Sequence, residues 1–319
     1  MADLRDAGAE SADKEMPLPA MDLNSGNITE TVISFCSQGS DPRMKFIFQR
    51  LITHIHKFAL ETRLSTEEWM AGLDWLEACG QICTPNRKEL ITVSDIFGLS
   101  TLVDEIQHPK PRGATLGTIL GPFHSTEAEE KANGDILSHD PKGEPLFVVC
   151  QVRDTQGNPV AGAQVHVWEA DSSGEYDLEK PDLDGPDGRG ILRTNEMGEF
   201  YFAAIVPVPY PILCDGPVGQ LLAALGRHPY RPAHMHFMFE KEGFDKLITA
   251  LYLRGSEYQD SDAVFGVKSS LVVDIQDMDK ETALKYNQPS VKKLLKYDFT
   301  LASDAEAETL RDSYSTAPR

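Results

Sequence analysis

The chain has 319 residues, 41% of them apolar, enough for one large domain or two ordinary ones and for a core that needs no disulfide or structural metal. Thirty Lys and Arg against 50 Asp and Glu leave a formal charge of −20, which argues against nucleic acid or an anionic membrane as partner, because both repel a polyanion. The five cysteines (Cys36, Cys79, Cys83, Cys150, Cys214) have no framework spacing, the N-terminus lacks a signal-peptide pattern and no apolar run is long enough to span a bilayer, so the expectation is a reduced, cytoplasmic protein without a membrane span.

Residues 1–27 are small, charged and aperiodic, and read as a disordered leader. Residues 28–107 are helical in pattern. Asp41-Pro42 supplies an N-cap and a first-turn proline for a helix whose apolar residues recur at threes and fours. Ser65 and Glu68 make a capping box ahead of a second long helix, and Thr84-Pro85 is read as opening a further helical stretch broken near Gly98. Near residue 108 the chain turns rich in Pro and Gly, and β signals follow: LFVVCQVRD, VAGAQVHVWEAD, two strands joined by Asn-Glu-Met-Gly, then HMHFMFEK, KLITALYLRG and VKSSLVVDIQD. Short strands separated by turns suggest an antiparallel β-sandwich over 108–302, followed by a flexible polar tail over 303–319. The predicted class is α+β, a helical N-terminal domain suited to capping or dimerisation ahead of an all-β domain.

The sharpest chemical signal is Arg231-Pro-Ala-His234-Met-His236-Phe237. Residues two apart in a strand project to one side, so His234 and His236 point together, with Met235 and Phe237 opposite. Two imidazoles so placed can share a metal ion. One completion is Glu240, giving a cupin-like His-x-His-x-x-x-Glu suited to Fe(II), Mn(II) or Zn(II), though the glycines that frame that motif are absent at His228 and Leu247. The other completion is tyrosine: Tyr210, stiffened by Pro207, Pro209 and Pro211, and Tyr176, directly after the strand ending at Trp168. Phenol coordinates as phenolate only when a strong Lewis acid lowers its pKa from near 10, and iron(III) is such an acid.

Together the stretches 157–177, 210–222 and 226–237 resemble the intradiol ring-cleavage dioxygenases, in the catechol and hydroxyquinol branch with its helical N-terminal domain. That resemblance implies a ferric ion held by Tyr176, Tyr210, His234 and His236, with Tyr210 also able to take a proton from the bound diol and Arg231 stabilising charge on substrate and intermediates. It implies O2-dependent opening of an aromatic diol between its two hydroxyl-bearing carbons to a cis,cis-muconate. It also implies a homodimer through the N-terminal helices, whose interface in relatives can hold a phospholipid. Thr92 and Asp95 match a pocket segment that leans toward hydroxyquinol (benzene-1,2,4-triol) over catechol, because a buried acceptor meeting a third ring hydroxyl discriminates well. Gly121-Pro122-Phe123 resembles the hydroxyquinol form of the entrance loop. Val206 is a further pocket candidate, and Ala250 stands where many catechol enzymes carry Gln. The rival of another class is a non-catalytic, transthyretin-like sandwich; such modules lack the second tyrosine and the histidine pair.

Overall fold

The computed structural model describes residue 18 and residues 20–314, apart from 86, 127 and 181. The described residues form two compact units, one up to Asp74 and one from Trp75 to Tyr314. Most of the anticipated leader, residues 1–17 and 19, lies outside the described part.

The first unit is helical. In it α1 (Ile28–Cys36) packs on α2 (Pro42–Thr62), and Thr29 Oγ1 meets His56 Nδ1 at 2.9 Å. Asp41 caps α2 by accepting from the amides of Arg43 and Met44, Pro42 fills the first turn, and Arg63 ends the helix in the left-handed conformation. Ser65 and Glu68 exchange capping bonds of 2.9 and 3.1 Å at the start of α3 (Thr66–Gln81). Along α2, Ile47, Leu51, Ile55 and Phe58 form a stripe at helical spacing, and all four are exposed.

The second unit starts within α3. It includes α4 (Glu89–Ile96) and α5 (Leu99–Gln107), parted at Gly98, whose φ of +70° suits glycine. No helix starts at Thr84-Pro85, because Thr84 and Arg87 close a turn on each other first: the Thr84 amide donates to the Arg87 carbonyl at 2.9 Å and the Arg87 amide to Thr84 Oγ1 at 3.0 Å. The inner face of α4 puts Val93 and Ile96 against Ile119, Ile212 and Val218.

The β domain is a sandwich of two sheets. One carries β1 (Pro145–Asp154), β4 (Glu199–Ile205), β10 (Gln276–Asp277) and β11 (Lys293–Leu301) in the order β10-β11-β1-β4. The other carries β2 (Gln164–Trp168), β3 (Arg189–Arg193), β7 (His234–Glu240), β8 (Leu247–Leu253) and β9 (Val272–Val273) in the order β3-β2-β7-β8-β9. A ribbon of β5 (Tyr210–Pro211) and β6 (Tyr230–Arg231) stands apart. Helices α6 (Pro217–Ala224) and α7 (Lys280–Lys285) fill connections. The sheets are mixed rather than antiparallel, since β1 pairs with β11 and β8 with β9 in parallel. Alternation within a strand is the same for either direction, so the pattern could not reveal this.

Val148, Phe200, Phe202, Leu295 and Phe299 of the first sheet meet Val165, Val167, Met235, Phe237 and Leu251 of the second in one buried core. Period two then sends Trp168, His234, His236, Ala250 and Tyr252 to the opposite side of the second sheet. That side is buried by loops and by α4, which is what makes it a site rather than a wet surface.

The anticipated loose tail is a helix as far as residue 314. Ser303 and Glu306 cap α8 (Asp304–Tyr314), Ala307 is buried, and Arg311 bonds Asp245 at 2.9 Å. With one small residue deeply buried, α8 shows little apolar periodicity. Residues 315–319 are outside the described part.

Candidate active site

The strand β7 carries His234 and His236 on one face, with their rings 4.7 Å apart and each 2% exposed or less. Met235 and Phe237 point into the core, as the period requires. The Pro232 carbonyl accepts from His234 Nδ1 at 2.7 Å, which fixes the tautomer and leaves a lone pair on Nε2. His236 is stacked on Trp168, centroids 4.9 Å apart and nearly parallel, because the two residues are register partners across β2 and β7. Burial drives both imidazoles well below their ordinary pKa, helped by Arg231 at His234 and by His234 and Arg231 at His236. Both are neutral at pH 7, the form that binds metal.

The tyrosines arrive from two loops. Tyr210 is held by pairing of β5 with β6, which sets it opposite Arg231, itself three residues before His234. Tyr176 follows a turn in which Asp171 accepts from the Ser173 and Glu175 amides and from Ser173 Oγ. In that turn Gly174 sits at φ +84°, and a Cβ there would lie 2.6 Å from Tyr210 Cβ, so only glycine lets the loops touch. The Tyr176 ring stacks on Phe123 at 4.4 Å. The Tyr176 and Tyr210 hydroxyls are 2.9 Å apart, Tyr210 Oη is 3.1 Å from His234 Nε2, and the two histidine Nε2 atoms are 3.1 Å apart. Burial raises both phenols, Tyr176 well above 10, and Arg231 only partly offsets this.

Arg231 stands beside these donors, its Nη1 2.9 Å from His234 Nε2. Burial works against its charge, but Asp262, Tyr252 and Tyr210 outweigh that and hold its pKa well above the usual value. A narrow cleft opens onto Arg231, Tyr210 and His236, and is walled by Thr92, Asp95, Gly121, Pro122 and Phe123. Burial raises the Asp95 carboxyl, with Ser100 and Arg231 opposing. Val206 instead packs against the inter-sheet core, and Ala250 is buried beside Tyr252 and Leu271; neither lines the cleft. Glu240 pairs with Lys246 at 2.6 Å, and no three His, Cys, Asp or Glu residues among those described could hold a metal, so the cupin-like set is not assembled. Sequence reasoning missed the apolar walls Ile119, Ile212 and Val264, as well as Tyr252 and Asp262 behind Arg231. None carries a local motif.

Comparison with known proteins agrees with this geometry. A family model described as "Dioxygenase" matches residues 119–303, and one described as "Catechol dioxygenase N terminus" matches 41–115. The intradiol ring-cleavage dioxygenase hqdA of Aspergillus niger is 58% identical over 92% of this chain and 89% of its own. The chain belongs to the intradiol ring-cleavage dioxygenases. Like other members of this iron-dependent family it is an enzyme of aromatic-diol cleavage. A Rhizobium hydroxyquinol 1,2-dioxygenase is 46% identical over 77% of this chain and 84% of its own. The crystal structure of hydroxyquinol 1,2-dioxygenase from Pseudomonas putida DLL-E4 superposes with a TM-score of 0.81 at 37% identity, covering 88% of this chain and 99% of that one. Among the described residues of this dioxygenase, no helix is long and apolar enough to cross a membrane.

Proposed function

We propose that this intradiol dioxygenase cleaves hydroxyquinol with O2 to 3-hydroxymuconate, a tautomer of maleylacetate, and that Tyr176, Tyr210, His234 and His236 hold a ferric ion for the purpose. The observation that carries the reading is the convergence of two phenol oxygens and two neutral imidazole nitrogens within hydrogen-bond distance of one another. The donor set fits the ion: hard oxygens, lone-pair nitrogens and one fixed tautomer, all buried. A ferric ion held there would supply the Lewis acidity that keeps the phenols ionised and favours ionisation of the diol.

The chain's own groups do the rest. Tyr210, at the cleft wall, is the base placed to accept a proton from an entering hydroxyl. Arg231, itself buried, offsets negative charge on the ring oxygens. Trp168 keeps the His236 ring aligned. Asp95 and Thr92 offer acceptors to a third ring hydroxyl, and the relatives named for hydroxyquinol support that choice of substrate.

The test is oxygen uptake with hydroxyquinol, catechol, 4-methylcatechol and protocatechuate, alongside iron analysis and a visible spectrum. Hydroxyquinol turned over fastest by a wine-red, iron-containing protein is the expected result. Colourless protein after iron loading would remove the ligand assignment, and turnover of catechol without hydroxyquinol would remove the substrate. The exposed stripe on α2 supports a homodimer through the first unit. Sedimentation should show twice the chain mass, and mass analysis of a solvent extract reads any phospholipid held there.

A further inference from the structure

Asp262 lies in the loop before β9, away from any motif, yet it is 6% exposed and meets the guanidinium edge-on. Its Oδ1 accepts from Arg231 Nε at 3.1 Å, and its Oδ2 from Arg231 Nη2 at 3.4 Å. The carboxylate is itself clamped by the amides of Val264, at 3.3 Å, and Gly266, at 2.9 Å. Tyr252 Oη takes the second Nη2 bond at 3.2 Å. A guanidinium is a flat fork with five N–H groups. With the Nε and Nη2 edge consumed from behind, the Nη1 edge is the one turned toward His234 and the cleft.

The rest of the loop serves the same arrangement. Thr118 Oγ1 donates to the Gly266 carbonyl at 2.8 Å and pins the turn. A Cβ on Gly266 would meet Tyr252 Oη at 2.6 Å and Arg231 Nη2 at 3.1 Å, so the turn closes against the guanidinium only because that residue is glycine. Arg227 ties the loop to α4, donating to the carbonyls of Ala263 and Ile96 at 2.8 Å each, next door to Asp95.

From this geometry we propose that Asp262 is a positioning residue for ring cleavage: it fixes the direction in which Arg231 presents its charge, and the Asp262–Gly266 loop is the cradle that holds the pair. The inference rests on the proposed iron-dependent reaction, and its test separates the two. Wild-type protein is examined first for iron, visible colour and diol turnover; failure there removes the proposed function, and this inference with it. Three variants follow. Asp262→Asn removes the charge, and Asp262→Glu and Gly266→Ala decide the matter where the unpaired buried Arg keeps that variant from folding. Asp262→Glu keeps the charge but displaces the guanidinium by about 1 Å, and misplacement of that size costs up to about a hundredfold in rate. Gly266→Ala presses on Arg231 without altering any charge.

The expected result is wild-type iron content, a kcat lower by tenfold to a hundredfold in either variant, and a shifted visible band in the anaerobic complex with 4-nitrocatechol. A role in folding alone would leave that band and kcat in place while lowering the unfolding temperature. Either folded variant with kcat within twofold of wild type and an unshifted band would overturn the proposal.

Discussion

Replacing Asp95 by Ala should convert a hydroxyquinol-preferring cleft into an indifferent one. Asp95 sits in the last turn of α4, where the partial negative charge of the helix end disfavours a carboxylate, so it does not serve the helix as a cap. It is 3% exposed and lines the cleft that also holds Arg231. A hydrogen bond to a charged group contributes about 1.5–3 kcal/mol where water cannot replace it. At about 1.4 kcal/mol per decade, Asp95→Ala should lower kcat/KM for hydroxyquinol about ten- to 150-fold. Catechol has no third hydroxyl and should lose about threefold at most, the share due to a slightly enlarged pocket. Asp95→Asn, which keeps the size and one acceptor, should fall between. Initial rates of oxygen uptake over a range of each diol give the ratio directly, and unfolding temperatures confirm that the variants are folded. Equal losses for both diols would refute the reasoning, for then Asp95 supports the site as a whole rather than reading the substrate.

Gly174→Ala puts a Cβ 2.6 Å from Tyr210 Cβ at a φ of +84°, so the two tyrosine loops must part. The variant should lose visible absorbance and iron, with an unfolding temperature lower by several degrees, about 2–4 °C per kcal/mol for a domain of this size. Removal of iron by reductive chelation should abolish the colour without leaving phenolate behind. Burial holds both phenols above their ordinary pKa, so near-ultraviolet titration of the iron-free protein should show Tyr176 and Tyr210 still protonated at pH 9. The iron-free protein should also melt earlier, since an ion that binds only the folded state stabilises it. Burial, with His166 and Lys246 adding to it, pulls His124 from 6.5 to about 4. The unfolded chain therefore takes up a proton that the folded one refuses, and stability present above pH 6.5 is lost as the pH falls toward 4. His124→Gln should flatten the urea midpoint against pH in that window; an unchanged slope would place the acid sensitivity elsewhere.

How far the sequence reached follows from the range of each signal. The capping of α2 by Asp41 and of α3 by Ser65 and Glu68 is local, and both stand where the pattern put them. The shared face of His234 and His236 follows from period two alone and holds as well. Long-range pairing is different. That β11 returns to lie parallel to β1, after the whole sandwich has intervened, leaves no trace in either strand's composition. The helix α8 was missed because a single buried alanine gives no periodicity, whereas its Ser303 and Glu306 capping pair was present to be read. Val206 is a pocket candidate by sequence, but the core behind it claims its side chain.

The same logic explains why the donors were legible and their supports were not. His234, His236, Tyr210 and Tyr176 are unusual residue types in unusual local settings, so each can be suspected from its neighbours. Asp262, Gly266, Tyr252 and Trp168 are ordinary residues whose meaning lies only in what they touch: a guanidinium edge, a missing Cβ, an imidazole face. A phenol pair with raised pKa values and an arginine beside two neutral imidazoles is an unfavourable arrangement for a protein left to itself. On the proposed ferric site it would become favourable, with the cation neutralising the phenolates and taking the imidazole lone pairs. Asp262 supplies the fixed counter-charge behind Arg231 and leaves its Nη1 edge turned toward His234 and the cleft. The proposed iron site therefore depends as much on how the guanidinium is held as on the donors that would hold the ion.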